Sequence, residues 1–86
     1  MLSIKVLEPD IKKCEEVEMQ AIKASLGTTV VVNVERIHNM EKIKKYNVQE
    51  TPALVINEEV KAAGRVPDIK EVEAWLQEVL QPATAG

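Results

Sequence analysis

The segment that decides the fold lies near the amino terminus and reads Ile4-Lys5-Val6-Leu7-Glu8-Pro9-Asp10-Ile11-Lys12-Lys13-Cys14. A short apolar strand, residues 3–7, runs into a turn at Pro9 and Asp10, and the turn runs into a helix that carries the single cysteine of the chain. Asp10 is a good N-cap because its carboxylate accepts hydrogen bonds from the free amides of the first turn. Helical periodicity extends over residues 11–26, and we expect Gly27 to end the helix in a left-handed conformation. The predicted apolar face consists of Ile11, Cys14, Val17, Ala21, Ile22 and Ser25.

The next two elements are a strand and a short helix. The β-branched run at 29–34 lies within a predicted strand at 28–35, and it is typical of a strand buried on both faces of a parallel sheet. Residues 38–46 are predicted to form a short helix that Asn39 caps. The apolar residues of this helix recur every three positions and are Ile37, Met40 and Ile43.

The second half of the chain contains a hairpin. Residues 53–56 form an apolar strand, residues 57–59 read as a tight turn, and residues 60–63 return as a second strand. Gly64 is expected to end this strand. The sequence therefore predicts two antiparallel strands at the carboxyl-terminal side of the sheet.

A helix follows the hairpin. Its start is the clearest in the chain, because Asp68 and Glu71 have the spacing of a capping box. Pro82 is expected to stop the helix, and residues 82–86 are predicted to form a flexible tail. The apolar stripe of the helix consists of Ile69, Val72, Trp75, Leu76, Val79 and Leu80.

The predicted element order is β-α-β-α-β-β-α. The first strand-helix-strand unit is expected to be parallel and right-handed, whereas the last two strands form an antiparallel hairpin. The sequence thus predicts an α/β domain over residues 1–81, with a four-stranded mixed sheet and helices on both of its faces.

Composition excludes several classes of function. The chain has 86 residues, a net charge of −3 and only 2% aromatic residues, which argues against nucleic-acid binding. It contains no apolar stretch of the ~20 residues that a membrane span needs. A single cysteine excludes an intrachain disulfide, so we expect a reducing cytoplasm. Cys14 and His38 fall short of a zinc ligand set, and no metal is expected.

Four stretches resemble one protein family. Residues 4–7 and the three turn residues after them lead into the position of a redox motif, and Val17-Glu18 resembles an apolar-acidic pair on the first helix. Thr51-Pro52-Ala53-Leu54-Val55-Ile56-Asn57 resembles a cis-proline strand, and Gly64-Arg65-Val66-Pro67 resembles the link into the last helix. Over residues 3–80 the chain resembles the small thioredoxin-like or glutaredoxin-like redox proteins of bacteria and archaea. The resemblance implies the minimal thioredoxin fold.

The chain departs from this family at two positions. The family motif is C-x-x-C, whereas here Ile11 occupies the position of the attacking cysteine and Cys14 that of the resolving cysteine. A dithiol cycle needs two sulfurs, so we expect no such cycle. The family hairpin often carries Asn-Gly, but Asn57 is followed by Glu58, for which a positive φ is costly. We therefore expect a different turn type or a longer loop.

Cys14, the candidate catalytic residue, has two interpretations. It is either a small hydrophobic residue on the buried face of its helix or a thiolate that the helix N-terminus activates. Lys12 and Lys13 would lower the pKa of the thiol, and Glu18 would raise it from one turn away. Glu18 itself is either an edge carboxylate or a proton acceptor for Cys14.

Thr51 and Pro52 are the candidate partner-binding residues beside Ile11. The resemblance implies that Pro52 is cis and that the backbone of Thr51 pairs with an extended partner strand. The alternative is a trans proline that only starts a strand.

Two functions follow from these residues. The first is a weak monothiol disulfide oxidoreductase, in which Cys14 forms a mixed disulfide with glutathione, another small thiol or a partner protein. The second is a redox-inactive module that binds a peptide or protein in a groove between the turn at 9–11 and Thr51-Pro52, with Ile11 as its apolar centre. The chain is expected to be a monomer or a weak homodimer, and a dimer linked through Cys14 is a third possibility.

Overall fold

The structure, a computed structural model, describes residues 2–80. The predicted order β-α-β-α-β-β-α is confirmed. The predicted helix stop at Pro82 and the tail at 82–86 lie outside the described residues. The elements are β1 (Leu2–Leu7), α1 (Ile11–Ser25), β2 (Val32–Ile37), α2 (Met40–Lys44), β3 (Ala53–Ile56), β4 (Glu59–Ala63) and α3 (Ile69–Leu80).

The four strands form one mixed sheet in the order β2-β1-β3-β4. β1 pairs with β2 in parallel, in an unbroken register from Leu2↔Val32 to Leu7↔Ile37. β1 also pairs with β3, antiparallel, and β3 pairs with β4 as the predicted hairpin. Because β1 and β3 are central, the ends of these two strands bring together segments that are distant in sequence.

Alternate residues of the central strands supply two apolar clusters, one on each face of the sheet. The larger cluster packs α1 and α3 against one face, and the smaller cluster packs α2 against the other, so helices cover both faces as predicted. Trp75 of α3 is half-buried against the larger cluster, and Tyr46 is half-buried against the smaller one. The larger cluster comprises Leu2, Ile4, Val6, Cys14, Val17, Ala21, Ala24, Leu54, Ile56, Val72 and Leu76. The smaller comprises Leu7, Ile37, Ile43, Ala53 and Val55.

The prediction for the second strand was wrong in both its position and its environment. The strand begins at Val32, not near residue 28, and it lies at an edge of the sheet, where it pairs only with β1. Val30, Val32 and Val34 pack against the larger cluster, whereas Val31 between them is exposed. A run of β-branched residues fits a half-buried edge strand as well as a central one, because only alternate residues need an apolar neighbour.

The predictions for α1 and α2 were also imperfect. α2 spans only Met40–Lys44, not 38–46, although Asn39 caps it as predicted by accepting from the amides of Glu41 and Lys42. On α1, two residues assigned to the buried face, Ile11 and Ile22, are exposed. They lie outside the buried arc that the other residues of α1 define, because a helix turns by about 100° per residue.

Gly27 does not adopt the predicted left-handed conformation. Leu26 continues the right-handed turn with φ −64° and ψ −19°. The amide of Gly27 donates to the Ala24 carbonyl at 3.2 Å, and that of Thr28 donates to the Ser25 carbonyl at 3.0 Å. These tighter turns satisfy the last carbonyls of α1, so the helix ends without a left-handed residue.

The hairpin turn was predicted wrongly as well. Asn57 and Glu58 have φ values of 47° and 68°, so a two-residue turn of the kind that favours Asn-Gly is formed with a glutamate at its second position. The Glu58 carboxylate forms an ion pair with Lys5 and accepts from the Tyr46 hydroxyl at 3.2 Å. These contacts hold the glutamate in a backbone region that normally favours glycine.

The capping box of α3 is confirmed. The Glu71 amide donates to Asp68 Oδ1 at 2.8 Å, and the Asp68 amide donates to Glu71 Oε1 at 3.2 Å. Arg65 clamps the same Glu71 carboxylate with two hydrogen bonds of 2.7 and 2.6 Å. No helix within residues 2–80 is long and apolar enough to cross a bilayer.

Candidate functional site

Three segments meet at one end of the sheet. Leu7, the last residue of β1, lies opposite Ala53, the first residue of β3, so the start of α1 and the Thr51-Pro52 loop leave the sheet side by side. The amide of Gly64 donates to the Pro52 carbonyl at 2.9 Å and attaches the loop before α3 to the same place. This end of the sheet therefore brings together Ile11, Thr51 and Pro52, the residues that the sequence suggested for partner binding.

Asp10 starts α1 as predicted. Its side chain accepts from the amides of Lys12 and Lys13 at 2.9 and 3.2 Å. The buried Glu8 carboxylate in turn accepts from the Asp10 amide at 2.9 Å, and His38 Nδ1 lies 2.9 Å from the Glu8 carbonyl. The turn between β1 and α1 is thus held by hydrogen bonds from both sides.

Cys14 lies inside the molecule. Its exposed fraction is 0%, and it belongs to the larger apolar cluster between β1 and α1. The thiol makes one weak contact, with Sγ 4.0 Å from the Val6 carbonyl oxygen. Of the two interpretations from the sequence, the small buried hydrophobic residue describes this geometry.

Burial raises the pKa of the Cys14 thiol, because the thiolate would have little solvation in the cluster. The nearby Arg36 guanidinium acts in the opposite direction, whereas the carboxylates of Glu18, Glu8 and Glu15 raise the pKa further. The Lys12 and Lys13 side chains are exposed, and their effect on this pKa stays a prediction.

Glu18 is an edge carboxylate. Its Oε2 lies 3.4 Å from Arg36 Nε, and Glu15 lies 3.9 Å from the same guanidinium. The thiol of Cys14 contacts Val6 instead of Glu18. This arrangement gives Glu18 the role of a charge partner for Arg36, with no hydrogen bond to the cysteine.

Ile11, three residues before Cys14, is exposed, with 59% of its surface accessible. Pro52 is buried, Thr51 is half-buried, and the peptide bond between them is cis. Within residues 2–80, the backbone amide and carbonyl of Thr51 make no hydrogen bond to another backbone group. The Ile11 side chain and the backbone amide and carbonyl of Thr51 are therefore the groups available for contact at this end of the sheet.

An open cavity of about 620 Å³ lies beside these residues, along α1. Neither Ile11, Thr51 nor Pro52 lines it, so it differs from the groove predicted between the turn at 9–11 and Thr51-Pro52. Its lining residues are Lys12, Glu15, Glu16, Met19, Gln20 and Val66.

Sequence reasoning missed Glu8 and Arg36 as neighbours of Cys14. The signal for Arg36 is the alternation along β2, which places Val32, Val34 and Arg36 on the face that α1 covers. This signal was missed because the predicted strand, 28–35, ended before Arg36. Within the described residues, no group of three or more His, Cys, Asp and Glu could hold a metal ion.

The chain belongs to the thioredoxin domain family, whose sequence profile matches residues 2–77. It is also similar to the crystal structure of a designed protein, with a TM-score of 0.68 and 26% sequence identity. That likeness covers 93% of this chain and 81% of the designed protein. No curated protein matches the sequence at a significant level. The resemblance and the minimal thioredoxin fold predicted from the sequence are thereby confirmed.

Proposed function

We propose that this thioredoxin-like domain binds an extended peptide or protein segment and does not catalyse disulfide exchange. One observation carries the proposal: the only thiol has no exposed surface, whereas the apolar Ile11 is exposed. The family resemblance assigns Ile11 to the position of the attacking thiol. The thiolate is the attacking species in disulfide exchange, and it must reach its target. Burial and a raised pKa oppose both requirements at Cys14.

The backbone amide and carbonyl of Thr51 support binding by strand addition. Asn57 donates to the Ser3 carbonyl, so hydrogen-bonded pairs of β1 and β3 recur every second residue from this pair. A continued ladder would reach Pro9 and Thr51, but Pro9 has no N–H to donate to the Thr51 carbonyl. The Thr51 amide makes no backbone hydrogen bond within residues 2–80, so both groups are left for a partner strand.

Ile11 supports an apolar contact next to this backbone site. Covering the exposed Ile11 side chain with an apolar partner side chain removes apolar surface from water, which favours binding. A bound segment would pair its backbone with Thr51 and place an apolar residue against Ile11. We place this activity in the cytoplasm, because the one thiol forms no intrachain disulfide.

The deciding experiment for the thiol is alkylation of native Cys14 as a function of pH. We expect labelling to be slow at neutral pH and to become fast only when urea unfolds the protein. Fast labelling of the native protein, with a midpoint below the ~8.5 of a free thiol, would overturn the proposal and favour single-thiol redox chemistry.

Binding is tested with peptides selected on the wild-type protein from a phage-displayed random library. The change Ile11→Asp should weaken their binding by about tenfold or more, because it introduces a charge into an apolar contact. The control Met40→Asp alters an exposed apolar residue on α2 and should leave binding unchanged. Equal binding by wild type and Ile11→Asp would exclude this surface as the site.

The monothiol function is a second candidate, favoured by the Arg36 guanidinium, which by itself lowers the pKa of Cys14. In this case oxidised glutathione would exchange with the Cys14 thiolate, forming a protein–glutathione disulfide and releasing one reduced glutathione. Mass spectrometry of the native protein after incubation detects the adduct. Its appearance in the wild type, and its absence in Cys14→Ser, would support the monothiol function.

A further inference from the structure

The two edges of the sheet differ in how they are protected. β4 has a register shift between Leu54 and Val55 of its neighbour, and its Lys61 lies beside this irregularity. Bulges and lysines are devices that prevent an edge strand from pairing with another chain. β2 has six consecutive regular pairs with β1 and no bulge. β2 carries the charged Glu35 and Arg36, but within residues 2–80 it is the edge whose free backbone is regular enough to add another strand.

The outward-facing backbone groups of β2 follow from its bonds to β1. The carbonyls of Val31 and Ile37 accept from the amides of Leu2 and Glu8. Since bonding alternates along a strand, the odd-numbered residues of β2 face β1. The residues that direct their amides and carbonyls away from the sheet are Val32, Val34 and Arg36.

A stripe of exposed apolar side chains runs along α1 next to this edge. Its four members, which we call the α1 stripe, lie within an arc of about 80° at about 100° per residue. Glu15 lies in the same arc and is 3.9 Å from Arg36 of β2, so the arc borders the β2 edge. Leu26 is the most exposed member, at 79%. The α1 stripe consists of Ile11, Met19, Ile22 and Leu26.

The stripe and the edge have the same length. The 15 residues of α1 span about 22 Å, and the six residues of β2 span about 20 Å. A two-fold axis perpendicular to the sheet at Val34 would pair two β2 strands antiparallel and set two α1 helices side by side. Arg36 of β2 lies 3.9 Å from Glu15 and 3.4 Å from Glu18 of α1, so the two elements run alongside each other and one axis can relate both to their copies.

We propose that the β2 edge and the α1 stripe form the interface of a symmetric homodimer with a continuous eight-stranded sheet. The register with Val34 on the axis is self-complementary, because it sets the Asn33 amide opposite the Glu35 carboxylate of the second copy. It also brings Ile11 near Leu26 of the second copy. Moving the axis to Glu35 would set two carboxylates opposite each other, which disfavours that register.

The second copy is the occupant because the surface matches itself. An interface with two-fold symmetry requires that the same patch meets its own image. Both the alternation of Asn33 and Glu35 and the placement of apolar residues at the two ends of α1 meet this requirement. The dimer and the proposed peptide site share Ile11, but the Thr51 backbone, which lies before β3 and away from β2, takes no part in the dimer.

The first test is sedimentation equilibrium of the full chain from micromolar to millimolar concentration. We expect the mass to rise toward that of a dimer, and we expect the double variant Ile22→Glu/Leu26→Glu to weaken dimerisation by about tenfold or more. Both residues are exposed, so circular dichroism and the melting temperature should stay unchanged at low concentration. Met40→Glu, an equivalent change on the opposite face, should dimerise like the wild type.

The second test needs no variant. Amide hydrogen exchange of the wild type should slow with concentration at Val32, Val34 and Arg36, whose amides the dimer would cover. A wild type that stays monomeric at millimolar concentration would overturn the proposal. So would a folded double variant that dimerises normally, or a dimer in which these three amides exchange at the monomer rate.

Discussion

At the scale of single residues, Cys14 shows how packing sets the chemistry of a side chain. The helix start on which it lies favours a thiolate, but the side chain points into the apolar cluster, where the charged form is poorly solvated. Its pKa is raised, so the folded protein holds the thiol proton more tightly than the unfolded chain does. The stabilisation from this difference is complete below the pKa of the unfolded thiol and is lost as the pH rises above it.

The change Cys14→Ala tests this linkage. At pH 7 we expect a loss of about 1 kcal/mol in the free energy of unfolding, since the sulfur is buried. Above the ~8.5 of the free thiol, the wild type should lose up to about 1.4 kcal/mol per pH unit relative to the variant. Urea titrations of both proteins between pH 7 and 10 measure the difference. A difference that does not change with pH would contradict the raised pKa.

At the scale of elements, the sequence predicted features whose causes are local. Asp10 as a cap and the Asp68–Glu71 capping box depend on residues within one turn, and both were found. The hairpin turn was missed because Glu58 is held by Lys5 and Tyr46, which lie far away in sequence. The same applies to the site. Arg36 lowers the pKa of Cys14 from β2, a strand that is distant in sequence and that was predicted to begin too early.

The hairpin gives a prediction about backbone strain. The change Glu58→Gly should raise the melting temperature by about 2–4 °C, because glycine adopts a φ of 68° without steric cost. The lost ion pair to Lys5 offsets part of this gain, since the pair holds the pKa of Glu58 below its usual range. Salt screens an exposed pair, so the gain should grow at 1 M NaCl.

Glu59→Gly is the control for this variant. Glu59 begins β4 and does not have a positive φ, so glycine there should lower the melting temperature. Calorimetry of the two variants and the wild type compares these opposite effects. If both glycines were equally destabilising, the positive φ of Glu58 would carry no cost.

At the scale of the whole molecule, the two faces of the sheet have unequal cores. α1 and α3 share a cluster of eleven buried residues, whereas α2 contributes one buried residue, Ile43, to a cluster of five. The sequence predicted helices on both faces but not this imbalance, because the length of α2 was overestimated. A five-residue helix has little stability of its own and depends on its packing.

The change Ile43→Ala should therefore release α2. We expect a loss of about 3 kcal/mol, together with faster amide exchange across 40–46 than across α3. Met40→Ala on the same helix alters an exposed side chain and should cost little. Hydrogen exchange and urea unfolding of the two variants make the comparison. Equal exchange in both variants would show that Ile43 does not anchor the helix.

The placement of Trp75 and Tyr46 has an optical consequence. The chain contains one tryptophan, one tyrosine and no phenylalanine, and the two rings pack on opposite faces of the sheet. Tryptophan emission therefore reports on the docking of α3, and tyrosine absorbance reports on the region around α2. The protein carries a separate chromophore for each layer, so melting curves at two wavelengths reveal whether both layers unfold together without any label.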